Sequence, residues 1–335
     1  MSVKGWLGHC ERNPKKAYFA YRDALSPLLV NLRSDRLTYF AGEEVKMEAW
    51  VCNDTDDCVQ AKMRFVVECG GKKLYSLEKQ VETGECTTKI VANIKFNAPV
   101  ADERKVMTVR MGLFSGNGNI MHDASVTIEI FPRIDISGIS ACAIGKEAHG
   151  ILEKLNISQL PVQDARAFLI SDIQEYDTHS ELIEQMVRQN GATAAFLCLP
   201  PGEYALFGEQ VAIEKSGSQY HFLSRNTGHD LVEGYSEFDF RFWYDNEKDR
   251  ITPIADTSLQ CAAMRPILLC GGDNKWEYAA AEMTCGKGRV IVCQVILGSH
   301  IENPVAADFV CRMLEEQKNC LYNTHDDFVE KQRDV

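Results

Sequence analysis

The spacing of hydrophobic and polar positions changes twice along the chain, and each change marks a different kind of element. Between Pro14 and Ser26-Pro27, Tyr18, Tyr21, Arg22 and Leu25 recur at spacings of three and four, with Phe19 beside them. That pattern predicts a short amphipathic helix whose apolar face needs something to pack against. From Leu28 to Pro132 the period is two. Val45, Met47, Ala49 and Val51 alternate with Lys46, Glu48 and Trp50, and Met63, Phe65 and Val67 alternate likewise, as do Thr88, Ile90, Ala92, Ile94 and Phe96. Turn clusters separate the runs: Asn53 to Asp57, Gly70-Gly71, Asn97-Ala98-Pro99 and Gly116-Asn117-Gly118. About seven short strands with regular turn signals predict an antiparallel β-sandwich. The hairpin Val106–Leu113 / Ala124–Ile130 around Gly116-Asn117-Gly118 is its clearest piece.

After Pro132 apolar runs alternate with helical ones. Ile139–Ile144, Ala167–Ile170 and Ala194–Leu199 read as buried strands, and Glu147–Leu155 and Asp177–Gln189 as helices, the second closed by Gly191. Strand, helix, strand, helix, strand predicts a parallel sheet with helices on its faces. Ile267–Cys270 and Val290–Leu297 add strands, the turn Cys285-Gly286-Lys287-Gly288 precedes the latter, and the helix Pro304–Glu316 follows.

The totals narrow the classes. A chain of 335 residues with 45% hydrophobic and 25% charged residues fits two ordinary soluble domains. A formal charge of −12 with no basic patch argues against nucleic acid and anionic membrane surfaces. No run of 18 apolar residues and no charged-then-apolar leader occurs, which predicts a cytoplasmic protein. The thirteen cysteines are odd in number, scattered and often inside apolar runs, as Cys198, Cys270 and Cys293 are, so they read as reduced buried thiols.

The residues Pro14, Lys15, Ala17, Tyr18, Ala20, Tyr21, Arg22, Asp23, Ala24, Leu25 and Pro27 spell PK-x-AY-x-AYRDAL-x-P ahead of strand-like sequence. This segment resembles the junction in bacterial glycoside hydrolase family 2 proteins, the β-galactosidase-like enzymes, where the last helix of a catalytic (β/α)8 barrel leads into an immunoglobulin-like sandwich. The second half resembles the class I glutamine amidotransferase-like fold in the catalytically silent form appended to many such hydrolases. That likeness is carried by Leu197–Tyr204 (LCLPPGEY), Gly228-His229 with Asp239-Phe240, and Gly286–Leu297 (GKGRVIVCQVIL) with Asn303-Pro304. The resemblance implies a remnant barrel helix over residues 1–27, an immunoglobulin-like sandwich over 28–133, a doubly wound (flavodoxin/amidotransferase-like) α/β domain over 134–322, and a tail over 323–335. It implies a non-catalytic accessory region with no cofactor, whose partner is a catalytic barrel domain or subunit, or a second copy, contacted through Tyr18, Phe19, Tyr21 and Leu25.

Two other functional classes stay open. An active amidotransferase would use Cys198 with His300 and Glu302, the Cys followed by His-x-Glu that the resemblance implies. Its nucleophile needs a strained strand-to-helix turn between small residues, and Phe196, Leu197 and Leu199 make Cys198 read as mid-strand. A carbohydrate-binding module would stack sugars on Trp243, beside Tyr244, Asp245 and Asn246, or on Trp276, beside Asp273 and Asn274. The remaining motifs point to structure. Asp54, Asp56 and Asp57 lack the glycine and distal Glu of a calcium loop. Gly286-Lys287-Gly288 lacks a phosphate-loop frame. The eight histidines are isolated, and no C-x2-C pair occurs, so no metal is expected. A retaining glycosidase needs two carboxylates about 5–5.5 Å apart, and nothing in the sequence frames such a pair.

Overall fold

A computed structural model gives the architecture and describes residues 16–34, 36–245, 247–271 and 277–315. The chain divides into two compact units, one up to Ile134 together with Lys248–Arg250, the other Asp135–Glu247 and onward from Ile251.

The first unit opens with helix α1 (Lys16–Ala24) and continues as two sheets. Strands β1 (Leu28–Ser34), β3 (Glu44–Asn53) and β6 (Thr87–Asn97) form the smaller sheet. The larger has the order β2-β8-β7-β4-β5, built from β2 (Thr38–Phe40), β4 (Val59–Cys69), β5 (Lys72–Thr83), β7 (Lys105–Phe114) and β8 (Ile120–Phe131). Alternate residues of both sheets fill one core: Val45, Met47, Ala49 and Val51 from β3, Met63, Phe65 and Val67 from β4, Met107, Val109, Met111 and Leu113 from β7. This is the predicted β-sandwich, with two departures. Strand β2 runs parallel to β8, so the sandwich is not wholly antiparallel. In β6 the alternation breaks at a bulge, where Ala49 pairs Ala92 but Trp50 pairs Ile90. The extra residue Val91 turns inward, and Ile90, which strict alternation puts inside, faces out.

The second unit is built on a ten-stranded mixed sheet. Its parallel part contains β9 (Ser140–Ile144), β10 (Ser158–Gln159), β11 (Ala167–Ile170), β12 (Thr193–Leu197) and β20 (Gly288–Cys293), ordered β10-β9-β11-β12-β20. That 2-1-3-4-5 order is one of the doubly wound arrangements. Helices α2 (Lys146–Lys154), α3 (Ile173–Asp177), α4 (Ser180–Asn190) and α5 (Pro304–Leu314) accompany these strands. Ile183, Met186 and Val187 of α4 share a core with Phe168, Ala194, Phe196, Val290 and Val292. The buried face of α5, including Ala307, Phe309 and Val310, lies outside that cluster and approaches β11 and β12.

A purely parallel sheet is a correction the structure makes. Beyond β20 the sheet continues antiparallel through β19 (Glu277–Cys285), β17 (Ala255–Gln260), β14 (Glu209–Tyr220) and β13 (Gly202–Leu206), with β18 (Arg265–Cys270) also on β19. The short strands β15 (Tyr244–Asp245) and β16 (Arg250–Ile251) lie outside this sheet and form a two-stranded one of their own. Polar residues such as Glu209, Gln210, Asp256 and Glu282 interrupt the apolar runs of this half, so it lacks the continuous signature that made the parallel strands readable.

Candidate functional site

The carboxyl ends of the parallel strands are where a sheet of this order holds ligands, and Cys198 sits there. The mid-strand reading of Cys198 is wrong. β12 ends at Leu197, and Cys198 turns the chain with φ +46°, the left-handed region that non-glycine residues rarely enter. Its N–H donates to Cys293 O at 2.8 Å, which fixes the turn. Pro200-Pro201 was the available signal, since proline cannot extend a central strand.

The strained turn is present, but the rest of a triad is not assembled on it. Cys198 Sγ donates to Val295 O at 3.3 Å. Burial pushes the thiol well above its ordinary value, and the carboxylate of Glu147 adds to the shift. A nucleophilic cysteine needs the opposite, a cation or helix terminus that stabilises the thiolate. His300 is buried and committed elsewhere: its Nδ1 bonds Ile296 O at 2.7 Å and its Nε2 bonds Thr252 Oγ1 at 2.8 Å. A carbonyl only accepts, so Nδ1 carries the proton and Nε2 takes the threonine hydroxyl. No lone pair is left to serve a thiol. Glu302 is exposed.

The switch point between β9 and β11 is filled by the chain itself. Gly145 N–H donates to Glu175 Oε2 at 3.1 Å and Ala148 N–H to Ser171 Oγ at 3.0 Å, so donors at the start of α2 already have acceptors. A Cβ on Gly145, whose φ is +92°, would lie 2.5 Å from Ser171 Oγ and 2.8 Å from Asp172 N. The backbone closes here because glycine lets it.

Trp243, a candidate sugar platform in the binding-module alternative, only packs. It is 2% exposed, its Nε1 donates to Asp239 O at 2.7 Å, and its ring packs 5.8 Å from Phe240 and 5.5 Å from His300. No face is open to a pyranose. Trp276, with Asp273 and Asn274, and Asn246 lie outside the described residues. Asp54, Asp56 and Asp57 form a hairpin turn held by Asn53, whose Nδ2 donates to Asp57 O and Gly84 O, both at 2.8 Å. Among the described residues no group of three or more His, Cys, Asp or Glu is arranged to hold a metal. Gly286 to Gly288 is jammed against the end of α4: Lys287 N–H donates to Arg188 O, and a Cβ on Gly288 would lie 2.1 Å from Ala192 O. That turn has no space for phosphate.

Helix α1 leaves its rings partly exposed. Tyr18, Phe19 and Tyr21 are 40%, 43% and 40% exposed and Leu25 74%. Tyr18 and Phe19 meet edge to face at 5.6 Å, and Arg22, paired with Asp23 at 2.8 Å, lies 5.4 Å over the Phe19 ring. No helix of the described residues is long and apolar enough to cross a membrane.

No family model matches the chain, and no curated protein matches it. Solved structures similar to parts of it include a cycloisomaltooligosaccharide glucanotransferase from Paenibacillus sp., 14% identical over 60% of this chain and 31% of that one, with a TM-score of 0.26. A β-glucuronidase 2 from Bacteroides uniformis is 10% identical over 52% of this chain and 24% of that one (TM-score 0.23). A putative β-galactosidase from Bacteroides fragilis is 9% identical over 51% and 28% (TM-score 0.26). Each match spans less than a third of the solved chain.

Proposed function

We propose that this chain is a non-catalytic accessory region of a family 2-type glycoside hydrolase, acting in bacterial carbohydrate metabolism in the cytoplasm. In this reading the sandwich is immunoglobulin-like, and the second unit is a glutamine amidotransferase-like domain that keeps the nucleophile turn but not the chemistry. Helix α1 is the seat of a catalytic (β/α)8 barrel carried by another segment or chain. The observation that carries the reading is the open face of α1. Tyr18, Tyr21 and Leu25 of the junction motif, with Phe19 beside them, are exposed. A fully exposed side chain of this size forgoes roughly 1.5–3 kcal/mol of burial and these forgo a share of it set by their exposure, and contiguous apolar patches mark interfaces. The committed hydrogen bonds of His300 and the raised pKa of Cys198 support a silent domain over an amidotransferase. The buried Trp243 gives a sugar-binding module no support.

The test is titration of the full chain with a purified family 2 catalytic barrel lacking its own junction helix, followed by light scattering. A stoichiometric complex that is lost in Tyr18→Asp/Leu25→Asp is expected. Failure to associate, or association unchanged by those substitutions, would overturn the reading.

A further inference from the structure

A second exposed aromatic surface, on the other unit, surrounds a single cation. Phe222 is 43% exposed, and Phe238 and Phe242 are each 57% exposed. The guanidinium carbon of Arg241 lies 4.7 Å from the ring centre of Phe222, 5.0 Å from that of Phe238 and 6.0 Å from that of Phe242. The arrangement is fixed from below. Phe242 N–H donates to His221 O at 2.8 Å, Leu223 N–H donates to Phe240 O at 2.9 Å, and Phe222 and Arg241 pair as an antiparallel bridge. Phe240 and Trp243, which alternate with the exposed rings, are buried against Tyr235, Phe309 and His300. Phe242 is held at φ +55°, a region a bulky side chain occupies only when its surroundings impose it.

Arg241 has no hydrogen-bond acceptor or carboxylate partner among the described residues; its contacts are the three rings. A guanidinium carries five donors in a planar fork that matches a carboxylate. In a chain with 48 acidic and 36 basic residues, a stacked arginine left without an acid is half of a charge pair.

We propose that Arg241 with Phe222, Phe238 and Phe242 is a docking site for a peptide segment of another protein that presents a carboxylate beside an aromatic or aliphatic side chain. The carboxylate takes the Arg241 fork, and the apolar side chain lies on the rings. Phenylalanine carries no polar group, so the cluster offers one fork and no further side-chain donors of the kind a polyhydroxylated sugar needs. A two-fold contact centred on the cluster would bring two Arg241 side chains together. Phenylalanine and arginine are also among the residues enriched at protein–protein interfaces. This site is independent of the α1 contact and does not rest on it.

The probes are a fluorescein-labelled synthetic dodecapeptide with two Asp-Phe pairs in a Gly-Ser background, its counterpart with Asn for Asp, and a glucuronate tetrasaccharide, each titrated into the full chain by fluorescence anisotropy or calorimetry. The acidic peptide is expected to bind about tenfold more tightly than the amide peptide at low salt. Arg241→Gln is expected to erase that difference and Phe238→Ser to weaken both peptides, with the melting temperature unchanged because both side chains reach solvent. Equal binding of the two peptides, no binding of either, a preference that survives Arg241→Gln, or tighter binding of the tetrasaccharide would each overturn the proposal.

Discussion

Replacing Glu282 by alanine tests the electrostatic centre of the second unit. Glu282 projects from β19 with its side chain 12% exposed, and Oε1 lies 3.0 Å from His229 Nε2 and 3.1 Å from Arg265 Nη2, while Oε2 is 3.8 Å from Arg289 Nη1. Burial alone would raise this carboxyl, but the His229 imidazole 3.0 Å away and the charges of Arg289 and Arg265 outweigh it and hold the net value below the usual range. Arg289 also donates to Thr193 Oγ1 and to the carbonyls of Arg312, Met313 and Glu315 at the end of α5. Removing the carboxylate leaves buried donors facing a void, a class of change worth 3–5 kcal/mol. Arg289 keeps its other acceptors and Arg265 reaches solvent, so the low end, about 3 kcal/mol, is expected. Hydrogen exchange of the β19 and β20 amides reads this unit alone, and such a loss accelerates their slowest exchange on the order of a hundredfold. The pH dependence follows from the sign of the shift. A carboxyl lowered in the folded state contributes stability above its unfolded value and loses it as pH falls through the folded value. The gap between native protein and Glu282→Gln should therefore be full at neutral pH and close on acidification below the ordinary carboxylate range. Less than about 1 kcal/mol lost by Glu282→Ala, or a gap that widens in acid, would refute this account.

Three further outcomes are expected. Gly288→Ala forces a methyl to 2.1 Å from Ala192 O and 2.6 Å from Val187 O, both backbone atoms, so soluble yield or thermal stability should fall by an amount equivalent to about 3 kcal/mol or more. With a thiol-specific chromophore at neutral pH, the exposed Cys58 and Cys86 should react first and Cys198 only on unfolding, since its thiol is pushed up and bonded to Val295 O; rapid labelling of Cys198 would revive the catalytic reading. Trp243→Ala should cost about 3–5 kcal/mol by denaturant titration, as for other buried aromatics.

Much of the candidate site was hidden from the sequence because its features depend on where elements stop and on what lies opposite. Cys198 looked like strand interior because its neighbours are apolar, yet the turn it makes is set by Pro200-Pro201 and by the carbonyl of Cys293 on the adjacent strand. Trp243 had the local composition of a sugar platform. Its burial depends on Phe240 nearby and on His300, more than fifty residues away in the chain. The Arg241 cluster escaped notice for a related reason: Phe222 joins it only through the bridge to Arg241.

Local order was readable. The period-two runs of the sandwich, the Gly116-Asn117-Gly118 hairpin, the four residues of β11, Gly191 in the left-handed conformation closing α4, and Asn303-Pro304 opening α5 are written in side-chain spacing and cap chemistry. These depend on neighbours a few residues apart, and the chain carries that information itself. What tertiary structure decided was non-local: the bulge that turns Val91 inward and Ile90 outward, the antiparallel half of the large sheet, and the occupation of His300 by Thr252 and Ile296. Register and hydrogen-bond partners across strands are chosen by competition among distant segments for the same buried space and donors, and no single stretch of sequence holds that outcome.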